Sequence, residues 1–218
     1  MKNKRQIEMI CKGNVGRSPV AELVAKQYLQ STGALEDYEI SSSGSIANLL
    51  LDRKISREML ANSMNLFSNT GLHDFSFDQL REAWKQEDEQ IIRQYTAQVI
   101  DYTIAAEMKK RDGILRELGV FGTAKQFPEQ TRVKDVDYIF TIDRKVYADL
   151  LGNPNGIYCD VQKRPNIHVL SVFATNNEQE KDSEVDLSNP ENIWKSYREG
   201  LVRIVEHTPR TMKKVIGA

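Results

Sequence analysis

The stretch CKGNVGRSP, residues 11–19, decides how the start of the chain folds. It follows a short run with apolar residues at 5–10, which predicts a first β-strand that ends at the cysteine. Gly13 and Gly16 give the following loop backbone freedom, and a serine with Pro19 is typical of the first turn of a helix. The spacing therefore predicts a strand, a glycine loop and a helix N-terminus, in that order.

A loop of this kind can bind a phosphate group. Backbone N–H groups that lead into a helix N-terminus form an anion site, and the donor fork of Arg17 matches two phosphate oxygens. Positive charge also stabilises a thiolate, so we expect Cys11 to be a nucleophile that attacks phosphorus and forms a phosphocysteine. Ser18 can donate a hydrogen bond to the sulfur, and Asn14 can brace the loop from inside.

Composition excludes several classes of protein. The chain has 218 residues, of which 40% are hydrophobic and 28% are charged, so one soluble domain with room for an extension is expected. A net charge of −1 gives no basic surface for nucleic acid. Two cysteines fit a reducing compartment, and neither a signal peptide nor a membrane span is visible. We therefore expect a cytoplasmic protein. The three histidines lack metal-ligand spacing, so neither a metal nor a cofactor is expected.

The rest of the chain alternates between strand and helix patterns. Strands are predicted at 38–42, 136–142 and 167–173, and helices at 143–151, 112–119 and 191–208. This order predicts a three-layer α/β/α domain with a central parallel sheet and the phosphate-binding loop after its first strand. Residues 75–110 predict one long helix, or two with a bend. We therefore expect a single domain, 1–218, with a helical insertion at 48–112.

The quoted loop resembles that of a known family. CKGNVGRSPVAE is similar to the phosphate-binding loop of the low-molecular-weight protein tyrosine phosphatases, whose pattern is C-x-G-N-x-C-R-S-P with an Ala-Glu soon after. ISSSG at 40–44 resembles the family's Ser-Ala-Gly segment, and VDYIFTIDRKVYADL at 136–150 resembles its strand and helix with a Met-Asp pair. The resemblance covers residues 5–47 and about 113–205.

The resemblance implies a hydrolase that cleaves phosphomonoesters without a metal. It implies Cys11 as nucleophile, Arg17 as phosphate ligand and a late aspartate, for which we choose Asp186, as general acid. Relatives that act on phosphoarginine carry Thr where this chain has Val15, whose side chain cannot orient water, so a phosphotyrosine protein or another aryl phosphate is the expected substrate. The residues expected to bind substrate or shape the loop are Lys12, Gly13, Asn14, Val15, Gly16, Ser18 and Ser42.

Three departures from the family pattern matter. Gly16 replaces the second loop cysteine, which in the family protects the nucleophile by reversible disulfide formation. Cys159 is a candidate substitute, but a buried strand-end position is the stronger expectation. The family's Asp-Pro pair is absent, and the late loop offers Asp182 and Asp186, of which Asp186 is nearer the proline and the last helix. Residues 187–189, Leu-Ser-Asn, also lack the aromatic pocket wall of the family.

Other interpretations stay open. One alternative is a catalytically weak phospho-binding or adaptor module. Another is an arsenate reductase of the same fold; two cysteines cannot run the thioredoxin-coupled relay, whereas a glutathione-linked version stays open. The apolar stripe of the insertion either packs on its own domain, or forms a cap at the pocket mouth or a homodimer contact. That stripe consists of Phe77, Leu80, Trp84, Ile91, Tyr95, Val99 and Tyr102.

Overall fold

A four-stranded parallel sheet forms the centre of the computed structural model. The structure describes residues 4–52, 56–57, 60, 75–132, 134–151, 157–158, 165–185 and 192–217. Within them the strands are β1 (Arg5–Cys11), β2 (Tyr38–Gly44), β3 (Tyr138–Thr141) and β4 (Asn166–Val169). Their order across the sheet is β2-β1-β3-β4, and every pairing is parallel.

Helices cover both faces of this sheet. Ile7 and Met9 of β1 face a core that includes buried side chains of α1 (Arg17–Ser31) and α7 (Ile193–Ile216). Ile10 points to the opposite face, where it packs with Val146 and Leu150 of α5 (Arg144–Leu151). Alternation along β1 thus supplies two cores from one strand. The predicted three-layer α/β/α architecture is confirmed.

One 3₁₀ turn and four further α-helices lie in the described part of the chain. They are the 3₁₀ turn (Leu35–Asp37), α2 (Ala47–Leu51), α3 (Phe75–Gln86), α4 (Glu89–Glu117) and α6 (Leu170–Thr175), and α4 is the longest of them. Of the two forms expected for residues 75–110, the structure shows two helices with a bend. The bend lies at Glu87, whose φ is 57°, and at Asp88, whose carboxylate caps α4 by accepting a hydrogen bond from Ile91 N at 3.0 Å. Beyond the bend, α4 continues through the piece predicted separately at 112–119. No helix in the described part of the chain is both long enough and apolar enough to span a membrane.

The α3–α4 pair has a small core of its own. Leu60, Leu80, Val99 and Ile100 are buried there. Trp84, Tyr95 and Tyr102 pack around them, as does Trp194 of α7, whereas Ile91 is 37% exposed and lies off the stripe. At the other end of α4, Ile114 and Leu115 join the main core. These contacts support packing of the insertion on its own domain; the side chain of Phe77 lies outside the described residues, and the boundaries 48–112 stay a prediction.

The strand predicted at 167–173 is wrong in its second half. β4 ends at Val169, the residue paired with Thr141 at the end of β3, so the chain beyond it has no strand partner in that register. Residues from Leu170 onward instead form α6, which packs its buried side chains toward α7. Lys214 Nζ of α7 donates to the carbonyl of Phe173 at 2.6 Å and stabilises the end of this helix.

Candidate active site

Cys11 lies at the carboxyl end of β1, directly before the loop that leads into α1. Its side chain is buried, and its Sγ accepts hydrogen bonds from Asn14 N at 3.2 Å and from Ser18 Oγ at 3.0 Å. Helix α1 begins at Arg17, so its positive N-terminal end lies at the same loop. Two hydrogen-bond donors and a helix N-terminus therefore lie around the sulfur.

Asn14 braces the loop from inside. It is fully buried and has a φ of 54°, a left-handed conformation that asparagine tolerates better than most residues. Its Nδ2 donates to Ser18 Oγ and to Ser42 Oγ, both at 3.0 Å, and its Oδ1 accepts from Glu129 N at 2.8 Å. The side chain thereby links the loop to β2 and to the segment before β3.

The loop backbone also packs closely on the end of β2. A Cβ on Gly44 would lie 2.7 Å from Asn14 N and from Gly13 C, so only glycine allows this approach. Ile46 N donates to the carbonyl of Lys12 at 2.9 Å, while the Lys12 side chain is exposed. Val15 is buried, and its apolar side chain is 3% exposed. The structure thus brings the predicted residues 11–18 and Ser42 together at the carboxyl end of β1.

Arg17 is held by an aspartate that sequence reasoning did not assign. Its Nη1 donates to Asp143 Oδ2 at 2.6 Å and to the carbonyl of Ser183 at 2.9 Å, and its side chain is 14% exposed. Burial alone would lower the pKa of Arg17, but the carboxylate of Asp143, with smaller effects from Cys11 and Glu107, raises it above the ordinary value. The signal that could have identified Asp143 was an acidic residue two positions beyond the buried strand β3. Neighbouring parallel strands end at the same edge of the sheet, so such a residue lies close to the loop after β1.

Gly16 makes room for two side chains from distant parts of the chain. A Cβ at this position would collide with the hydroxyl of Tyr197, from α7, and with Oε1 of Glu107, from α4. Nearby, the fully buried Arg111 of α4 donates from Nη1 to the carbonyl of Val15 at 2.6 Å. Sequence reasoning missed these three side chains because they lie about ninety residues or more from the loop, and no spacing signal joins them.

Two comparisons relate the sequence to a family. The family model described as low molecular weight phosphotyrosine protein phosphatase matches residues 6–66. The curated protein of that name from Dictyostelium discoideum is 27% identical over 120 residues, which are 54% of this chain and 64% of that relative. The chain is a relative of the low-molecular-weight phosphotyrosine protein phosphatases. The stated resemblance is thereby confirmed, and the matched part spans less than two thirds of the relative's own length.

Solved structures show the same fold. A protein tyrosine phosphatase from Entamoeba histolytica has a TM-score of 0.52 at 17% identity and aligns over 98% of this chain and 95% of its own. A low-molecular-weight phosphotyrosine phosphatase from Vibrio cholerae gives the same TM-score and coverage at 15% identity. Both likenesses show that the chain shares the α/β fold of these two structures.

In this relative of the phosphatases, Asp182 is already engaged. Its Oδ2 accepts hydrogen bonds from Arg144 N at 3.0 Å and Arg144 Nη1 at 3.2 Å, and its Oδ1 accepts from Glu184 N at 3.1 Å. This buried carboxylate therefore holds the late loop against the start of α5. Asp186, the predicted general acid, lies outside the described residues, as do residues 187–189 and Cys159. Within the part of the chain that the structure describes, no cluster of His, Cys, Asp and Glu could hold a metal ion.

Proposed function

We propose that the chain is a cysteine-dependent phosphatase that hydrolyses phosphomonoesters through a phosphocysteine on Cys11. The observation that carries this proposal is the sulfur itself. It is buried at a helix N-terminus, accepts hydrogen bonds from Asn14 N and Ser18 Oγ, and has Arg17 close enough to interact with its charge. A structural cysteine requires none of these features, whereas a nucleophile that attacks an anion requires all of them.

The first step transfers the phosphoryl group to the sulfur. The thiolate of Cys11 attacks phosphorus, the bond to the ester oxygen breaks, and the N–H groups of residues 12–17 with Arg17 bind the equatorial oxygens. Asp143 positions Arg17 for this task through the 2.6 Å hydrogen bond. Asp186 is the proposed general acid that protonates the leaving oxygen, a contribution of typically about 10²–10⁴-fold in rate.

The second step releases phosphate. Water attacks the phosphocysteine, the S–P bond breaks, and the thiolate leaves with the help of the Ser18 hydroxyl, which lies 3.0 Å from Sγ. The same carboxylate that donated a proton can accept one from this water. The buried network of Asn14 and Ser42 keeps the loop in one shape through both steps.

Phosphotyrosine or another aryl phosphate is the proposed substrate class. Val15 is 3% exposed and apolar, so it offers no hydroxyl to orient water on a phosphoarginine intermediate. Peptides that carry phosphotyrosine should therefore be hydrolysed faster than free or peptide phosphoarginine. The reverse order would overturn the substrate class and leave the phosphatase proposal intact.

Hydrolysis of p-nitrophenyl phosphate tests the activity. The wild-type protein should release p-nitrophenol, and Cys11→Ser should abolish turnover while vanadate or phosphate still binds, because the amides and Arg17 remain. Cys159→Ser is the matched control, since it also removes a thiol, and it should keep activity. Full activity in Cys11→Ser would overturn the proposal; binding of oxyanions by a wild-type protein without turnover would favour the phospho-binding module.

A further inference from the structure

Glu107 places a carboxyl group against the phosphate loop from the inserted helix α4. Its Oε1 takes part of the space that a Cβ on Gly16 would need, and the hydroxyl of Tyr197 takes another part. Arg17 follows Gly16 in the chain, and the charges of Arg17 and Glu107 influence one another. The proposed phosphate ligand therefore has a second carboxylate neighbour besides Asp143, which already accepts a hydrogen bond from it at 2.6 Å.

The groups that face Glu107 come from three elements. Arg17 lies at the start of α1, Tyr197 lies on α7, and Arg111 lies one turn further along α4 itself. Burial raises the pKa of Glu107, and the attraction of Arg17, contact with Tyr197 and the charge of Arg111 oppose that shift without cancelling it. Burial together with the proximity of Glu107 also raises the pKa of Tyr197 well above its ordinary value, so the phenol stays neutral.

A bound phosphate dianion would change this balance. Arg17 donates a hydrogen bond to Asp143 and also interacts with the charge of Glu107, and an incoming dianion needs the same guanidinium. An ionised Glu107 in this partly buried position would then face two further negative charges with little water to screen them. Protonation of Glu107 removes that repulsion.

We propose that Glu107 couples oxyanion binding at the phosphate loop to the uptake of one proton. The carboxylate takes a proton from solvent as the dianion binds and returns it when the anion leaves, so atoms and charge balance without another reactant. Glu107 acts through the charge of the site and through Arg17, which makes it a positioning residue rather than a group that touches the reacting atoms. The inference rests on the phosphate site proposed above.

Calorimetry with tungstate tests the coupling. Tungstate stays dianionic from weakly acidic to weakly alkaline solution, so its own titration does not interfere. The full-length protein carries Cys11→Ser, which removes the thiol as a second source or acceptor of protons. Binding is measured in two buffers that differ in ionisation enthalpy, because the difference in observed heat gives the number of protons taken up.

Three proteins in the Cys11→Ser background are compared. With Glu107 present, proton uptake should approach one per tungstate above the pKa of Glu107, and affinity should fall by about tenfold per pH unit there. Glu107→Gln should abolish that uptake and bind more tightly at the alkaline end. Glu117→Gln is the matched control, since it removes a carboxylate of the same helix about 15 Å further along, and it should behave like the parent.

The outcomes separate this inference from the proposed function. No tungstate binding by the parent would overturn the phosphate site and the inference with it. If tungstate binds and the proton uptake is the same in Glu107→Gln and in the control, the inference is wrong and the phosphate site stands. If the parent binds tungstate without proton uptake, the inference is also wrong, and this result does not depend on whether Glu107→Gln folds. Glu107→Asp keeps a carboxyl group and should retain the uptake.

Discussion

The proposed phosphate loop, residues 11–18, and helix α4 contact each other, but their polar atoms find hydrogen-bond partners to different extents. In the loop, the side chain of Asn14 uses both donors on Ser18 and Ser42 and its acceptor on Glu129. On the α4 side, Arg111 Nη2 is buried and has no hydrogen-bond partner among the described residues. A fully bonded network is rigid, whereas buried groups with spare capacity respond to a change in charge. We therefore expect the loop to fix the shape of the site and the side chains from α4 to respond to a change in its charge.

The largest expected effect concerns the loop itself. Arg17→Lys keeps a positive charge near Asp143 but loses the planar fork that binds two phosphate oxygens. We expect kcat/KM for p-nitrophenyl phosphate to fall by about 10²–10³-fold. Arg198→Lys, in an exposed pair with Glu117, is the control and should leave kcat/KM unchanged. A loss of less than about tenfold at Arg17 would mean that charge alone suffices and would remove the fork from the mechanism.

The second prediction tests the rigidity of the loop. Asn14→Ala removes three hydrogen bonds from a fully buried position and leaves polar partners unpaired, at about 1–3 kcal/mol for each such group. Asn176→Ala is a matched control, because Asn176 also has a positive φ, 57°, but accepts only an exposed hydrogen bond from Lys214. Urea unfolding should give a clearly larger loss for Asn14→Ala. Equal losses would mean that backbone strain, rather than the buried network, sets the cost.

Sequence patterns predict the loop well because its determinants are local. The strand, the glycines and the helix start lie within residues 5–31, and the contacts of Cys11 with Asn14 and Ser18 span seven positions or fewer. Prediction fails where tertiary pairing decides. Residues 170–175 have strand-like composition, yet β3 offers β4 only four paired positions, so the chain turns into a helix.

The contacts of helix α4 were even harder to predict from sequence, because they join distant parts of the chain. Arg111 and the Val15 carbonyl that it contacts are 96 positions apart, and nothing in the spacing of either segment indicates the pairing. Deletion of residues 50–110 would also remove Glu107 and the turn before Arg111. Such a deletion would therefore disturb the phosphate loop directly, and it would not isolate a role as a cap.

The third prediction breaks the contact between the two regions. Gly16→Ala places a Cβ where the Tyr197 hydroxyl and Glu107 Oε1 lie, so overpacking should cost about 1–3 kcal/mol in unfolding free energy. Gly113→Ala, within α4 and with open space around its Cβ, should instead stabilise by up to about 1 kcal/mol. Combining Gly16→Ala with Tyr197→Phe should recover part of the loss, because the hydroxyl no longer competes for the space. Equal effects of the two glycine changes would contradict the close contact.

The smallest effect is a dependence of stability on pH. Burial raises the pKa of Glu107 in the folded protein above its value in the unfolded chain, about 4.3 for glutamate. The unfolded chain then loses the Glu107 proton first, so this group favours folding below about pH 4.3 and that contribution is lost as the pH rises through the folded pKa. Wild-type protein should therefore lose free energy of unfolding relative to Glu107→Gln across that window and run parallel to it at higher pH. Urea unfolding at a series of pH values measures the difference, with Glu117→Gln, an exposed carboxylate of the same helix, as the reference. If the free energies of unfolding of wild type and Glu107→Gln differ by the same amount at every pH, the carboxyl group of Glu107 keeps its ordinary pKa. Glu107 would then not be the group from α4 that responds to the charge of the site.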